Sequence, residues 1–279
     1  MKIISRNKVL SLGKPLLMGV LNVTPDSFSD GGKFDSKKKA AARFYEMVNE
    51  GADIIDIGGE SSGPGSKDVA IEEELNRVIP LLKEVRKHSD IWISVDTCKA
   101  EVAKKALDAG ADMVNDVLAL RGDSKMAEII EQAKVPVVLM YSKDPTARTT
   151  TALKHYDDVV SHIKAFLEDR IHIAEINGIK KDLIIIDPGQ GGFVSGDPKY
   201  SLQILRRLKE FESFNMPILI GSSRKSLIGL TLNLPLHERL EGSLACAAVA
   251  VMNGAKIIRA HDVRATRRII DMVWAIMNS

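Results

Sequence analysis

Short apolar runs recur along the chain at 16–21, 53–57, 92–95, 113–114, 135–140, 183–186, 218–220 and 257–258. They are rich in Ile and Val, as strands buried on both faces should be. Between them lie longer stretches with helical spacing. Residues 70–87 place Ile71, Leu75, Val78, Ile79 and Leu82 close to one face of a helix, a pattern of period 3.6. Residues 99–109 and 157–176 read similarly, and a further helix is expected at Lys37. About eight strand–helix units in 279 residues predict an α/β chain folded as a single (β/α)8 barrel over 1–279. An open doubly wound sheet is the competing arrangement. The barrel is favoured by what ends the runs: Asn22, Asp56, Asp96, Asn115, Asp187, Ser222 and Arg259 lie at or within two residues of their tips. Barrel enzymes gather their chemistry at strand C-termini, where closure brings distant positions to one mouth.

Composition sets bounds on partners. A hydrophobic fraction of 45% and a charged fraction of 27% fit a globular chain with a sizeable core. The net charge of +2 gives no field that would draw nucleic acid or an anionic membrane. Cys98 and Cys246 lie far apart, without metal-like spacing, and read as small buried thiols in a reducing compartment. The N-terminus carries charges where a signal peptide is apolar, and the longest run of small apolar residues, 244–252, is far short of a membrane span. A cytoplasmic protein is expected.

Seven segments at the ends of these runs carry candidate chemistry. Residues 22–32 are polar and glycine-rich but include Phe28, which suits either a capped turn or a flap that excludes water; the amide oxygen of Asn22 suits a hard cation. Residues 58–66 mix glycines and hydroxyls, either as a flexible connector or as backbone donors for an anion. Asp96, Asn115 and Asp187 put acid and amide groups at strand ends. One such Asp is ordinarily a helix cap, a role that Asp96 ahead of 99–109 would suit. Together they suit a planar heterocycle, because a carboxylate accepts two adjacent N–H donors at once. Residues 221–226 (Gly-Ser-Ser-Arg-Lys-Ser) and 257–262 (Ile-Ile-Arg-Ala-His-Asp) place cations and backbone donors after the last two strands, where barrels often hold phosphate.

In this order the segments LNVTPDSFSDGG, DIIDIGGESS-PG, SVDT, VNDV, DPG, GSSRKS and RAHDV resemble dihydropteroate synthase from Leu16 to about Ile276. The resemblance implies a transferase of folate biosynthesis. It would join 6-hydroxymethyl-7,8-dihydropterin diphosphate to 4-aminobenzoate and release diphosphate. It further implies that Asp96, Asn115, Asp187 and Lys225 hold the pterin while Met140 packs on its ring. Arg259 and His261 would hold the diphosphate, with Asn22 binding Mg2+ beside it. Gly221 and Ser226 would contact substrate, Ser226 near the aminobenzoate carboxylate. Asp30, Lys225 and Arg259 would act in catalysis. Similar synthases are homodimers, and the apolar C-terminal segment (Ile269, Ile270, Met272, Val273, Ile276) is a candidate interface or simply core.

The chain departs from the family pattern at three places. Gly63 stands where the second loop usually has arginine. Tyr141 follows Met140 where His is usual. The segment 187–193 is slightly longer than usual, as in sulfonamide-insensitive synthases. Two other functions compete: a methyltetrahydrofolate-dependent corrinoid methyltransferase, and a pterin-binding protein without turnover.

Overall fold

In a computed structural model the chain is described at residues 1–6, 8–24 and 32–279; of 32–36 only the helical backbone is described. An antiparallel hairpin, β1 (Lys2–Ser5) and β2 (Lys8–Ser11), comes first. Then parallel strands alternate with helices: β3 (Leu16–Asn22), α1 (Gly32–Asn49), β4 (Ile54–Gly58), α2 (Ile71–Arg86), β5 (Trp92–Asp96), α3 (Ala100–Asp108), β6 (Met113–Asp116), α4 (Met126–Ala133), β7 (Val137–Met140), α5 (Val159–Ile176), β8 (Ile184–Asp187), α6 (Pro198–Arg206), β9 (Leu219–Ile220), α7 (Ser226–Leu232), α8 (Leu240–Met252), β10 (Ile257–Ala260) and α9 (Val263–Met277).

The strand order β8-β7-β6-β5-β4-β3-β10-β9 is parallel throughout. A parallel bridge between Ile186 and Ile218 joins its two ends, with the Ile186 N–H donating to the Pro217 carbonyl at 3.0 Å. The ring is therefore a (β/α)8 barrel and not an open sheet.

Side chains alternate across each strand, so period two decides which face each enters. Met18, Ile54, Trp92, Met113, Val138, Ile185, Leu219 and Ile257 form one buried cluster in the barrel interior, plugged from below by Ile3, Leu10 and Leu12 of the hairpin segment. Their neighbours Leu17, Ile55, Ile93, Val114, Val137, Ile186 and Ile258 belong to a second cluster, shared with the helices. Two residues beyond the inner cluster, the inward positions turn polar on most strands: Asp56, Ser94, Asn115, Asp187 and Arg259. That change of polarity builds the mouth.

Two local expectations are corrected. The hairpin at residues 2–11 was not foreseen. The first helix begins at Gly32, ahead of Lys37.

Candidate active site

The inner rim is knit by one cation. The Arg259 Nε donates to Asp56 Oδ2 at 2.7 Å and its Nη2 to Asp96 Oδ2 at 2.8 Å. The Asn115 amide donates to the same Asp56 oxygen at 2.9 Å. Four strands, β4, β5, β6 and β10, thus meet at one buried cluster. The register puts Asp96 beside Gly58 and Asn115, and Gly58 beside Asn22. A Cβ at Gly58 would lie 3.6 Å from Asn22 Oδ1 and 3.5 Å from the Asp96 Cβ, so Asn22 stands next to Asp96 across a bare backbone. On the far side Met140 pairs in register with Asp187. Met140 is buried with Val117, Leu118 and Phe193.

Burial dominates the electrostatics. It pushes Asp96 up to about 7, with the charge of Asp56 adding to the rise. It pushes Asp187 up to about 6, opposed by Lys225 and by the Gly189 N–H, which donates to Asp187 Oδ1 at 2.8 Å. Lys225 is pulled down to about 8 by burial, against the attraction of Asp187. For Arg259 burial works against the charge, but the carboxylates of Asp56 and Asp96 more than offset it and raise its pKa. These groups feel one another because they share a dry site, where charges interact strongly. Shifts of this kind gather at functional sites.

Each candidate has a definite place. Asn22, Asp96, Asn115, Met140, Asp187, Lys225 and Arg259 converge on the mouth. Gly221 lies against Arg259, 3.5 Å from its Cβ to a Cβ built there. Ser226 opens α7 next to Gly191. His261 follows β10, its N–H donating to Ser223 Oγ at 3.2 Å. Burial first, and Arg259 next, depress His261 to about 4, so its imidazole is neutral at pH 7 and not the ready cation that the sequence suggests. Asp30 lies outside the described residues.

Two further readings change, and a neighbouring acid, Asp116, takes a structural part. Asp96 caps no helix: the Lys99 N–H bonds to Thr97 Oγ1 at 3.3 Å and the Ala100 N–H to Asp123 Oδ2 at 3.0 Å, leaving Asp96 to Arg259. Arg224 forks onto Asp262, with Nε–Oδ2 and Nη2–Oδ1 both 2.8 Å, so it braces two loops instead of facing the mouth. Asp116 points outward and accepts the Leu118 and Leu120 N–H groups at 2.9 and 2.7 Å, shaping a turn. Asp56, by contrast, was noted only as a strand-tip residue, although it is the hub of the cluster. Its position two residues after inward Ile54 was the signal.

Comparison with known proteins accounts for this arrangement. A family model described as "Pterin binding enzyme" matches residues 18–261. The dihydropteroate synthase of Escherichia coli strain K12 is 43% identical over 279 residues, covering 100% of this chain and 98% of the relative. The chain belongs to the dihydropteroate synthase family of transferases. Solved family members superpose closely. The Xanthomonas albilineans dihydropteroate synthase with 4-aminobenzoic acid gives a TM-score of 0.92 at 40% identity, covering 100% of this chain and 98% of that one. The same enzyme in complex with 7,8-dihydropteroate gives 0.89 at 38%, covering both chains fully. Among the described residues no helix is long and apolar enough to cross a membrane.

Proposed function

We propose that the chain is an active dihydropteroate synthase, acting on 6-hydroxymethyl-7,8-dihydropterin diphosphate and 4-aminobenzoate. The observation that carries this reading is the single buried cluster in which Asp56, Asp96 and Asn115 meet Arg259, with Asp187 and Lys225 electrostatically coupled to it. Such a set matches a flat heterocycle bearing both N–H groups and acceptors. Asp96 and Asp187 accept from the ring, while Asn115 and Lys225 donate to it. Met140 covers one face.

The diphosphate tail then lies toward Arg259 and His261. An arriving anion favours the protonated imidazole, so diphosphate raises the pKa of His261 on binding. Among the described residues no three His, Cys, Asp or Glu side chains are grouped to hold a metal. Asn22 alone fits Mg2+ of the kind that keeps its waters and is shared with substrate phosphates. There Mg2+ would supply charge neutralisation for the leaving diphosphate. Diphosphate departs with the bonding pair, and the positive methylene left on the pterin is stabilised by the nearby carboxylates. The aniline nitrogen attacks that carbon and releases its proton as the C–N bond forms. No serine or cysteine nucleophile is required, and holding the two substrates face to face supplies much of the acceleration. Asp30 completes the catalytic set from the first loop.

We assign the protein to the cytoplasm as a homodimer. Leu230, Val249, Met252, Met272 and Ile276 are exposed on α7, α8 and α9, and α8 packs on α9. A second copy covering this face would bury them.

The test is direct. Incubation with the pterin diphosphate, Mg2+ and labelled 4-aminobenzoate should yield labelled dihydropteroate; binding of the pterin diphosphate without product at high enzyme concentration would refute activity.

A further inference from the structure

The segment between β7 and α5, residues 141–158, crosses the mouth and ties two other loops together. To the loop after β8 it is bound by backbone contacts along its length. The Lys143 N–H donates to the Phe193 carbonyl at 2.8 Å and the Gly196 N–H to the Ala152 carbonyl at 3.1 Å. The Lys154 N–H donates to Ser195 Oγ at 3.0 Å. To the loop after β4 it is bound at its centre. The Thr149 N–H donates to the Ser62 carbonyl at 3.0 Å, and the Arg148 guanidinium pairs with the carboxylates of Glu60 and Asp68.

These two ion pairs are not equivalent. Asp68 is almost fully exposed, so its contact with Arg148 stabilises little. Glu60 is 13% exposed and Arg148 19%, and Lys99 at the start of α3 holds the same carboxylate. This pair is screened from water and joins three loops. The β4 loop needs such an anchor. Residues 58–66 contain three glycines besides Gly58 and no cation. Within the stretch 61–66 the bonds among the described residues are local: Ser66 Oγ donates to the Ser61 and Gly63 carbonyls at 2.6 and 2.7 Å, the Ser66 N–H to the Gly63 carbonyl at 3.2 Å, and the Gly63 N–H to Ser61 Oγ at 3.3 Å.

Where the three segments and α7 approach one another lies a cavity of about 670 Å³. Pro64 lines it from the β4 loop, Thr151 from the crossing segment, Gly192 and Gly196 from the β8 loop, and Ser226 from α7. The rest of the lining comes from α7 and the segment after it, up to Arg239, so the β4-loop and β8-loop walls are the ones that residues 143–154 hold. The packing is close: a Cβ at Gly192 would come within 2.8 Å of Thr149 Oγ1, and one at Gly196 within 2.2 Å of the Thr151 carbonyl oxygen.

We propose that Arg148 is a positioning residue for the aromatic acid. By holding Glu60 it fixes the β4 loop, so that Pro64 forms a standing wall of this cavity before the second substrate arrives. A loop ordered in advance loses less conformational freedom on binding, which tightens binding without new contacts. The inference rests on reading the site as a dihydropteroate synthase, with the cavity next to Ser226 as the seat of 4-aminobenzoate.

The test compares the wild type with Arg148→Ala and Arg148→Lys. Arg148→Ala should raise KM for 4-aminobenzoate about tenfold while kcat stays within twofold, and the Kd of the pterin diphosphate alone should not move. Arg148→Lys, which keeps a cation for Glu60, should recover part of the loss. Amide hydrogen exchange at 61–66 should quicken in Arg148→Ala. An unchanged KM, or a pterin Kd weakened by the same factor as KM, overturns the proposal. Should the wild type make no dihydropteroate at all, the assigned activity fails, and exchange then decides alone: unaltered exchange at 61–66 shows that Arg148 does not hold the loop.

Discussion

Arg259 reaches across the barrel mouth from β10 to Asp56 on β4, its Nε 2.7 Å from Oδ2. Asp56 is completely buried, and its other oxygen, Oδ1, has no partner among the described residues. A buried carboxylate is tolerated when paired, and this one is paired twice on a single oxygen, by Arg259 and by Asn115. Asp56 thus orients two of the groups assigned to substrate from beneath them. Asp96, the other partner of Arg259, is left able to exchange that contact for a ligand N–H.

Asp56→Asn should leave the chain folded, since the amide keeps the shape and an accepting oxygen. It removes the anion that fixes Arg259, so Arg259 should lean on Asp96 and compete with the pterin for it. A fall of roughly tenfold or more in kcat/KM, carried by KM for the pterin diphosphate, is expected. Because the charge of Asp56 also raises Asp96, the acid limb of the pH profile should move to lower pH. A profile that stays in place would show that Asp56 merely fills space.

Asp187→Ala and Lys225→Ala should each abolish binding of the pterin diphosphate, measured by calorimetry without the second substrate. The charge of Lys225 lowers the pKa of Asp187 and the charge of Asp187 raises that of Lys225, and each is assigned a separate contact with the ring. Near wild-type affinity in both variants would misplace the pocket.

Binding should also depend on pH through the same carboxylates. Asp96 at about 7 and Asp187 at about 6 lie far above the usual carboxylate range because of burial. Both must be ionised to accept N–H donors, so the empty site takes up protons as pH falls through these values. Affinity for the pterin diphosphate should drop by roughly tenfold or more between pH 7.5 and 5.5. Flat affinity across this interval would mean that the two carboxylates are already ionised at pH 5.5 or do not meet the ring.

The barrel was legible because each strand is buried on both faces and so reads as an apolar run. Site residues were legible where they end such runs. The hairpin at 2–11 was not, because its strands bury one face each and are interrupted by Lys2, Arg6 and Lys8. Residue type shows a charge but not its partner. Arg224 and Lys225 look alike in sequence, yet the φ of +55° at Arg224 turns it toward Asp262. Likewise Arg148 and Glu60 are 88 residues apart, and only closure of the barrel brings their loops together.

Tyr141, where the family pattern has His, anchors a buried polar knot behind Met140. Its hydroxyl lies 2.9 Å from that of Tyr156 and accepts from Lys154 Nζ at 3.1 Å, and Tyr156 donates to the Val194 carbonyl at 2.6 Å. Tyr141→Phe keeps the ring against Phe166 but leaves the lysine and the second tyrosine each a partner short. The cost should be about 1 kcal/mol, a fall in Tm of roughly 2–4 °C at this chain length. An unchanged Tm would mean that water replaces the hydroxyl at no cost.

Gly63 offers the opposite experiment, adding a group in place of removing one. Among the described residues a Cβ built there meets only Ser61 Oγ, at 3.5 Å, and the backbone is not in the left-handed region that would demand glycine. An arginine therefore fits without strain and would restore the cation that the family pattern has at this point, one residue from Pro64 on the cavity wall. Gly63→Arg should lower KM for 4-aminobenzoate several-fold by pairing with its carboxylate, leaving pterin binding alone unchanged. The new cation also has a rival partner, Glu60, which Arg148 and Lys99 already hold. In an Arg148→Ala background the introduced arginine should be drawn to Glu60, so the gain in affinity should shrink. A KM that is unchanged or higher in the single variant would mean that this loop no longer faces the aromatic acid.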